Sequence, residues 1–154
     1  MESPKSSFEN KMIGEKVNYK TDFIDRLNDN SKPVLVFDGA TGTSLQQMDL
    51  SEKQFGGVKY DGCNENLVLS YPESIIHVHS QFLEVGADVI ETNTFGANSI
   101  VLAEYDLQDK TYIINKKAAE LANKVAKEYS SNSKRRFVAG SLGPTTRLPT
   151  LGHI

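Results

Sequence analysis

Three short apolar runs, each followed by polar residues and glycine, stand out along the chain at residues 34–37, 87–90 and 137–139. Between them, apolar residues recur every three or four positions, as they do on one face of an α-helix. Alternation of strands and helices predicts an α/β protein with a parallel sheet and right-handed crossovers. The run at 34–37 has no polar position, so we expect a strand that is covered on both faces.

The periodic stretches predict helices of very different length. The helix after Tyr71 should begin with a Ser70-Tyr71-Pro72-Glu73 capping box and end near Val85, because Gly86 is a typical C-terminal signal. Residues 49–66 contain several glycines and predict a long loop, and residues 1–20 predict a flexible N-terminal tail. Other helices are predicted at 21–28 with Thr21 as N-cap, at 43–48, at 97–105 and at 109–129.

Composition limits the classes of function. The 154 residues carry a formal net charge of −3, and they lack the basic stripe that is typical of nucleic-acid-binding proteins. No apolar run approaches the roughly 20 residues that span a bilayer, so we expect no membrane partner. One cysteine and no secretion signal favour a reducing, cytoplasmic location.

Two carboxylates follow predicted strands directly. Asp38 comes after the first strand and Glu91 ends the second, and the carboxyl ends of parallel strands meet at one edge of a sheet. Acidic groups at such an edge bind an amine, act as bases or hold a metal. Gly39 would let a ligand approach the main chain closely. Asp88 lies at the opposite end of its strand, where we expect a solvated or capping carboxylate.

The remaining titratable residues favour no metal site. His77 and His79 are two positions apart on a predicted helix, so they project to opposite sides; we expect His79 to be packed and His77 to be exposed. His153 lies at the end of the chain and supports no site. Cys63 is a lone thiol, whereas a structural zinc site needs four ligands.

A nucleotide-binding α/β module is a competing interpretation of the first strand and its loop. Gly39 and Gly42 have part of the spacing of a dinucleotide-binding turn. The third glycine of that motif would fall at Leu45, and Asp38 would face the pyrophosphate with a negative charge. This interpretation is therefore the weaker one.

Four ordered motifs resemble the homocysteine S-methyltransferase family, and within it the N-terminal, homocysteine-binding module of cobalamin-dependent methionine synthases. The likeness covers residues 33–154. The motifs are Asp38-Gly39-Ala40-Thr41-Gly42-Thr43, Gly62-Cys63-Asn64-Glu65-Asn66-Leu67 with Ser70-Tyr71-Pro72-Glu73, Glu91-Thr92-Asn93-Thr94-Phe95, and Gly140-Ser141-Leu142-Gly143-Pro144-Thr145.

The resemblance implies a (β/α)8 TIM barrel that binds L-homocysteine at the carboxyl ends of its strands. In the family, a zinc ion on three cysteine thiolates coordinates the substrate sulfur, and the thiolate accepts a methyl group from methylcobalamin to give methionine. Betaine- or S-methylmethionine-dependent enzymes are the alternative within the family. By motif, Asp38 and Gly39 would hold the amino-acid backbone of the substrate; Glu91, Thr92, Asn93, Phe95, Ser141 and Gly143 would line the pocket.

The chain departs from the family pattern in its cysteines, since Cys63 matches none of the zinc motifs. We therefore expect residues 21–154 to form the first three βα units of an incomplete barrel. On this view the chain is a fragment that is inactive alone and binds neither zinc nor cobalamin by itself. Its partners would be the remaining strands and the cobalamin and folate modules. A non-catalytic protein that assembles with a partner barrel is the other alternative.

Overall fold

A computed structural model of the chain describes residues 19–147, 150 and 152. The chain divides into two compact units, one up to Val34 and one from Leu35. In the first unit, helix α1 spans Tyr19–Asn28. The predicted cap at Thr21 is wrong, because the helical backbone already begins at Tyr19; Asp22 lies in the first turn, where a negative charge is favourable. The rest of the predicted tail, residues 1–18, lies outside the described residues.

The second unit is α/β, as the sequence predicts. Strands β1 (Val89–Glu91) and β2 (Phe137–Ala139) are parallel, and Val89 lies opposite Phe137. The predicted first strand is reduced to a single parallel bridge between Phe37 and Val89. The three segments therefore lie in chain order with β1 in the middle.

The expectation that the first segment is covered on both faces is wrong. Val36 and Phe37 are 53% and 46% exposed. Helix packing is concentrated on the other two segments, since α5 packs against β1 and α7 against both β1 and β2. The first segment is held through its backbone instead: the Asp88 N–H donates to Val36 O at 2.7 Å, and the Asp38 N–H donates to Val89 O at 2.9 Å.

In the described part of the chain, six helices follow the first segment, and short 3₁₀ turns connect several of them. The helices are α2 (Thr41–Gln46), α3 (Glu52–Phe55), α4 (Leu67–Ser70), α5 (Pro72–Glu84), α6 (Ser99–Leu102) and α7 (Thr111–Glu128). The 3₁₀ turns are Val58–Tyr60, Asn64–Asn66, Ala103–Tyr105 and Gln108–Lys110.

The stretch predicted as one long loop, 49–66, contains α3 and two of these turns. Helix α3 begins after Ser51, whose N–H donates to the Gln54 side chain at 2.8 Å. Ser-x-x-Gln is a sequence signature of a capping box, so Ser51 and Gln54 could have predicted the start of this helix.

The predicted capping box of α5 is wrong, although the helix itself and its end at Gly86 (φ +112°) are confirmed. The N-cap is Tyr71, which makes no side-chain capping bond. Ser70 is the last residue of helix α4, where its hydroxyl donates to Asn66 O at 3.1 Å, so the N-cap position of α5 falls at Tyr71. Pro72 occupies the first turn, where a missing N–H costs little.

The core lies between α5 and α7 and beneath β1. Side chains at helical spacing supply it, as the periodicity predicts, and His79 is packed among buried positions while His77 is exposed. Neither ring nitrogen of His79 has a hydrogen-bond partner. The buried stripes are Ile75, Val78 and Leu83 on α5 and Ile114, Ala118, Leu121, Ala122 and Val125 on α7.

Asp88 is a structural carboxylate rather than a solvated or capping one. Its side chain is 15% exposed, accepts the Val36 N–H at 3.0 Å and lies 3.6 Å from Lys134 Nζ and 3.8 Å from Arg136. Arg136 also donates to the carbonyl oxygens of Gly86 and Ala87. These contacts tie the amino ends of the three segments together.

Within the described ranges, none of the helices has both the length and the apolar character that crossing a bilayer requires.

His79 should make the unfolding free energy depend on pH. Burial lowers the pKa of His79 from 6.5 to about 4, so the unfolded chain binds a proton that the folded chain does not. Stability should therefore fall as the pH drops from 6.5 towards 4, by up to about 3 kcal/mol. Urea unfolding between pH 4 and 7 should show that this loss disappears in His79→Leu. His77→Gln should keep it, and an unchanged acid slope in His79→Leu would contradict the assignment.

Candidate functional site

A cavity of about 370 Å³ lies where the strand segments give way to loops. Its wall comes from three places: the turn after the first segment, the 3₁₀ turn at 64–66, and the ends of β1 and β2. The lining residues are Asp38, Gly39, Ala40, Thr41, Gly42, Asn64, Glu65, Glu91, Thr92, Asn93, Phe95 and Ser141.

Seven of the eight site residues expected from sequence line this cavity. The eighth, Gly143, does not line it but contacts the lining residue Phe95. Five lining residues were not assigned. Ala40, Thr41 and Gly42 belong to the glycine turn after Asp38. Asn64 and Glu65 belong to the motif around Cys63, so the motif pointed to the right loop but not to its side chains.

Asp38 is the central carboxylate. Both of its oxygens accept the Glu91 N–H at 3.0 Å, so the end of the first segment is held against the end of β1. The pKa of Asp38 is raised to about 6, chiefly by burial; the hydrogen bond from the Glu91 N–H opposes this rise, and the nearby Glu91 carboxylate adds to it.

The cavity is strongly acidic. Its lining contains three carboxylates, Asp38, Glu65 and Glu91, and no lysine, arginine or histidine. Within residues 19–147, no basic side chain forms an ion pair with Asp38, in contrast to Asp88 with its two cations. The ionised form of a half-buried carboxylate without a cation is stabilised by a positively charged ligand. The arrangement therefore suits an ammonium group.

A closed set of hydrogen bonds joins the ends of β1 and β2. The Ser141 N–H donates to Thr92 Oγ1 at 3.1 Å, and Thr94 Oγ1 donates to Ser141 O at 2.7 Å. Because the Thr94 proton is used there, Thr92 is the donor in the 2.7 Å contact between the two hydroxyls. Thr92 and Thr94 thus fix Ser141 on the wall through its main chain, and their hydroxyls are satisfied within the protein.

Gly143 serves close packing. Its N–H donates to Phe95 O at 3.0 Å, and a Cβ at this position would lie 2.5 Å from that oxygen and 2.8 Å from the Phe95 ring. Phe95 itself is 62% exposed and faces the cavity. A glycine is therefore needed for the loop after β2 to approach the Phe95 turn.

Residues 19–147, 150 and 152 contain no group of three or more His, Cys, Asp or Glu side chains that could hold a metal ion. Cys63 is buried, and burial raises the pKa of its thiol to about 11. Cys63 belongs to no such group of ligands among the described residues, and one thiol alone does not make a zinc site. His153 lies outside the described residues.

The sequence model of the homocysteine S-methyltransferase family matches residues 35–153. Methionine synthase of Mycobacterium tuberculosis is 44% identical over 135 residues, and that of Mycobacterium leprae is 42% identical over 135 residues. Each alignment covers 88% of this chain but 11% of the relative, so the chain spans about a tenth of the length of these relatives.

Solved structures show the same fold. The homocysteine methyltransferase MmuM from Escherichia coli, in its metallated form, superimposes with a TM-score of 0.63 at 24% identity, over 82% of this chain and 42% of that one. Its oxidized form gives a TM-score of 0.63 over 77% and 40% of the two chains. At this identity the likeness concerns the fold.

Gly143→Ala should destabilise the wall of the cavity. The added methyl group would overlap a backbone oxygen and a ring at once, and neither can move far, so we expect a loss of about 1–3 kcal/mol. Gly140→Ala is the matched control, since a Cβ there meets nothing within 4 Å. Thermal unfolding of the two variants measures the difference, and equal stability of Gly143→Ala and Gly140→Ala would contradict the close approach.

Proposed function

The chain belongs to the homocysteine S-methyltransferase family, and from this membership we propose that it supplies the part of a methionine-forming enzyme that binds the amino-acid end of L-homocysteine. The observation that carries the proposal is the half-buried Asp38 carboxylate, which lines the cavity without a cation among the described residues. In the proposed reaction the substrate sulfur receives a methyl group and the product is methionine.

Asp38 would bind the substrate ammonium. Its two oxygens already accept one backbone N–H, which fixes the orientation of the carboxylate while leaving other lone pairs for a ligand. Charge-assisted hydrogen bonds of this kind are roughly twice as strong as neutral ones. Gly39 beside it leaves the main chain accessible, since a Cβ there would meet nothing within 4 Å.

The remaining wall would orient the rest of the amino acid. Glu91 adds negative charge close to Asp38, which raises the attraction for an ammonium. Thr92 and Asn93 are buried and held by hydrogen bonds to Ser141 and Asn64, so they form a rigid floor. Phe95 offers an exposed ring for the methylene groups of the substrate.

We assign the chemistry at sulfur to groups outside the described residues. Family resemblance implies a zinc ion on three cysteine thiolates, and the single cysteine of this chain, Cys63, cannot supply three. Zinc, methylcobalamin as methyl donor, and cobalamin and folate modules as partners are therefore proposed for the complete enzyme. The much greater length of the related methionine synthases supports such modules.

The three parallel segments would be the first strands of a (β/α)8 barrel. Their order, with β1 between the first segment and β2, is the order that successive barrel strands adopt. The likeness to a homocysteine methyltransferase structure over 42% of its length supports this placement. A cytoplasmic location remains our inference from the single cysteine.

The alternatives are weaker. Identity of 44% and 42% to two methionine synthases supports a methionine-forming reaction, and the motif resemblance favours cobalamin over betaine or S-methylmethionine as the source of the methyl group. A nucleotide-binding module is disfavoured by the cavity itself. Three carboxylates without a basic side chain in the lining would repel phosphate groups.

Asp38→Asn in the enzyme that contains this chain tests the ammonium site. The change keeps the shape and removes the charge, so the affinity for L-homocysteine should fall by about ten- to a hundredfold, the equivalent of about 1.5–3 kcal/mol. Calorimetric titration with L-homocysteine and with 4-sulfanylbutanoic acid, which lacks the amino group, should show that the parent discriminates strongly between them. The variant should not.

The pH dependence should follow the same carboxylate. Because the pKa of free Asp38 is about 6 and an ammonium favours the ionised form, affinity should be full above pH 6 and fall as the pH drops through 6. The limiting slope is about tenfold per pH unit, and it should be absent in Asp38→Asn. Asp49→Asn, an exposed carboxylate outside the cavity, is the control. Parent-like binding by Asp38→Asn would show that the amine is held elsewhere.

A further inference from the structure

Glu65 lies on the cavity wall but does not follow a strand. It belongs to the 3₁₀ turn Asn64–Asn66, which precedes α4. We propose that Glu65 is a positioning residue that holds the turn at Phe95 and Gly96 in place and thereby shapes the substrate pocket. The inference rests on the proposed function, since substrate affinity is one of its two measures.

The contact between Glu65 and Gly96 is direct and close. Glu65 Oε1 accepts the Gly96 N–H at 2.8 Å. A Cβ on Gly96 would lie 2.7 Å from Glu65 Oε1 and 3.1 Å from Glu65 Cδ. The carboxylate thus occupies the space that any side chain at position 96 would need. Gly96 and Glu65 form a matched pair.

The turn that carries Glu65 is itself anchored. Asn66 is buried, and its Nδ2 donates to Phe55 O at 2.7 Å. Asn93 Nδ2 donates to Asn64 O at 2.8 Å. Together with the bond between Glu65 and Gly96, this gives the turn two links to the residues that follow β1. Glu65 therefore extends from a fixed backbone, and its hydrogen bond can hold a neighbouring loop in one position.

The held loop carries Phe95, which lines the cavity together with Asp38 and Glu91. Phe95 O accepts the Gly143 N–H at 3.0 Å, so the turn is fixed from the β2 side as well. Glu65 and Gly143 hold the Phe95 turn from two sides. Loss of the Glu65 contact should let the Phe95 ring move relative to Asp38 and weaken substrate binding without touching the reacting atoms.

Conservative and truncating variants separate positioning from direct binding of charge. Glu65→Gln keeps an oxygen acceptor for the Gly96 N–H and removes the charge, whereas Glu65→Ala removes both. In the enzyme that contains this chain, Glu65→Ala should raise the KM for L-homocysteine about tenfold with kcat within about twofold, the size expected for one lost charge-assisted hydrogen bond. Glu65→Gln should stay within about threefold of the parent KM. Exposed Glu104→Ala is the control and should match the parent.

The Gly96 partner gives a second, independent variant. Gly96→Ala should displace the Glu65 carboxylate and raise KM as Glu65→Ala does. The double variant should be no worse than either single one, because the atoms that clash are gone and Val101 Cγ1, at 3.3 Å, is the closest neighbour that remains. Additive losses would show that the two residues act separately, which would overturn the proposal.

Hydrogen exchange supplies a measure that does not depend on the substrate. Mass spectrometry of a peptide that covers residues 93–97 should show faster exchange in Glu65→Ala and parent-like exchange in Glu65→Gln. Unchanged exchange in Glu65→Ala overturns the proposal. Faster exchange with an unchanged KM, in an enzyme whose affinity does depend on Asp38, also overturns it.

Failure of the ammonium site can be told apart from failure of this proposal. If Asp38→Asn binds homocysteine normally, the proposed ammonium site fails. The exchange rate in Glu65→Ala and the coupling between the Glu65 and Gly96 variants then still decide whether Glu65 positions the turn.

A parent-like KM in Glu65→Ala together with a strongly raised KM in Glu65→Gln would contradict a positioning role. An equal, large effect in both variants would also overturn it, because it would mean that the charge binds the substrate directly. Support requires a rescued glutamine variant, a coupled Gly96 variant and faster exchange in the alanine variant.

Discussion

The contact between the Asp38 carboxylate and the Glu91 N–H is the interaction on which the site depends. It joins a segment that has a single bridge in the sheet to the strand beside it, at the point where both become loops. Because both oxygens converge on one N–H at 3.0 Å, the carboxylate is oriented before any ligand arrives. The acidic lining and the burial of Asp38 follow from where this contact places it.

Two aspartates hold the first segment to β1, and their surroundings separate structure from function. Asp88 accepts the Val36 N–H at one end and has Lys134 and Arg136 near it. Asp38 accepts the Glu91 N–H at the other end, has no such cation among the residues that the structure describes, and has a pKa that burial raises to about 6. Each carboxylate thus accepts a backbone N–H, but the charge of Asp88 is balanced by nearby cations, whereas among the described residues the charge of Asp38 is not. The end at Asp38 is the one that faces the cavity.

The elements that were predicted correctly are those with strong local signals. Helix α7 follows its apolar period, and α5 ends at Gly86 as expected. The first segment was misjudged, because burial on two faces depends on which helices pack where and not on four apolar residues in a row. Helix α3 was missed although Ser51 and Gln54 carry its capping signature. The Ser70 cap is wrong because Ser70 is still the last residue of helix α4, so the N-cap position of α5 falls one residue later, at Tyr71.

The residues of the site likewise fall into those that can be placed from sequence and those that cannot. Residues that follow strands, such as Asp38, Glu91 and Ser141, can be placed at a common edge from sequence because parallel strands end together. Glu65 cannot, since its position depends on hydrogen bonds from Gly96 and Asn93 that span about thirty residues of sequence, 31 and 29 positions apart. Gly96 is the feature of the local sequence that reflects the contact with Glu65, because the absence of a side chain there leaves room for the Glu65 carboxylate from another loop. Gly96 is therefore informative about which side chain lies opposite, whereas a Cβ on Gly39 or Gly42, which also follow lining residues, would meet nothing within 4 Å.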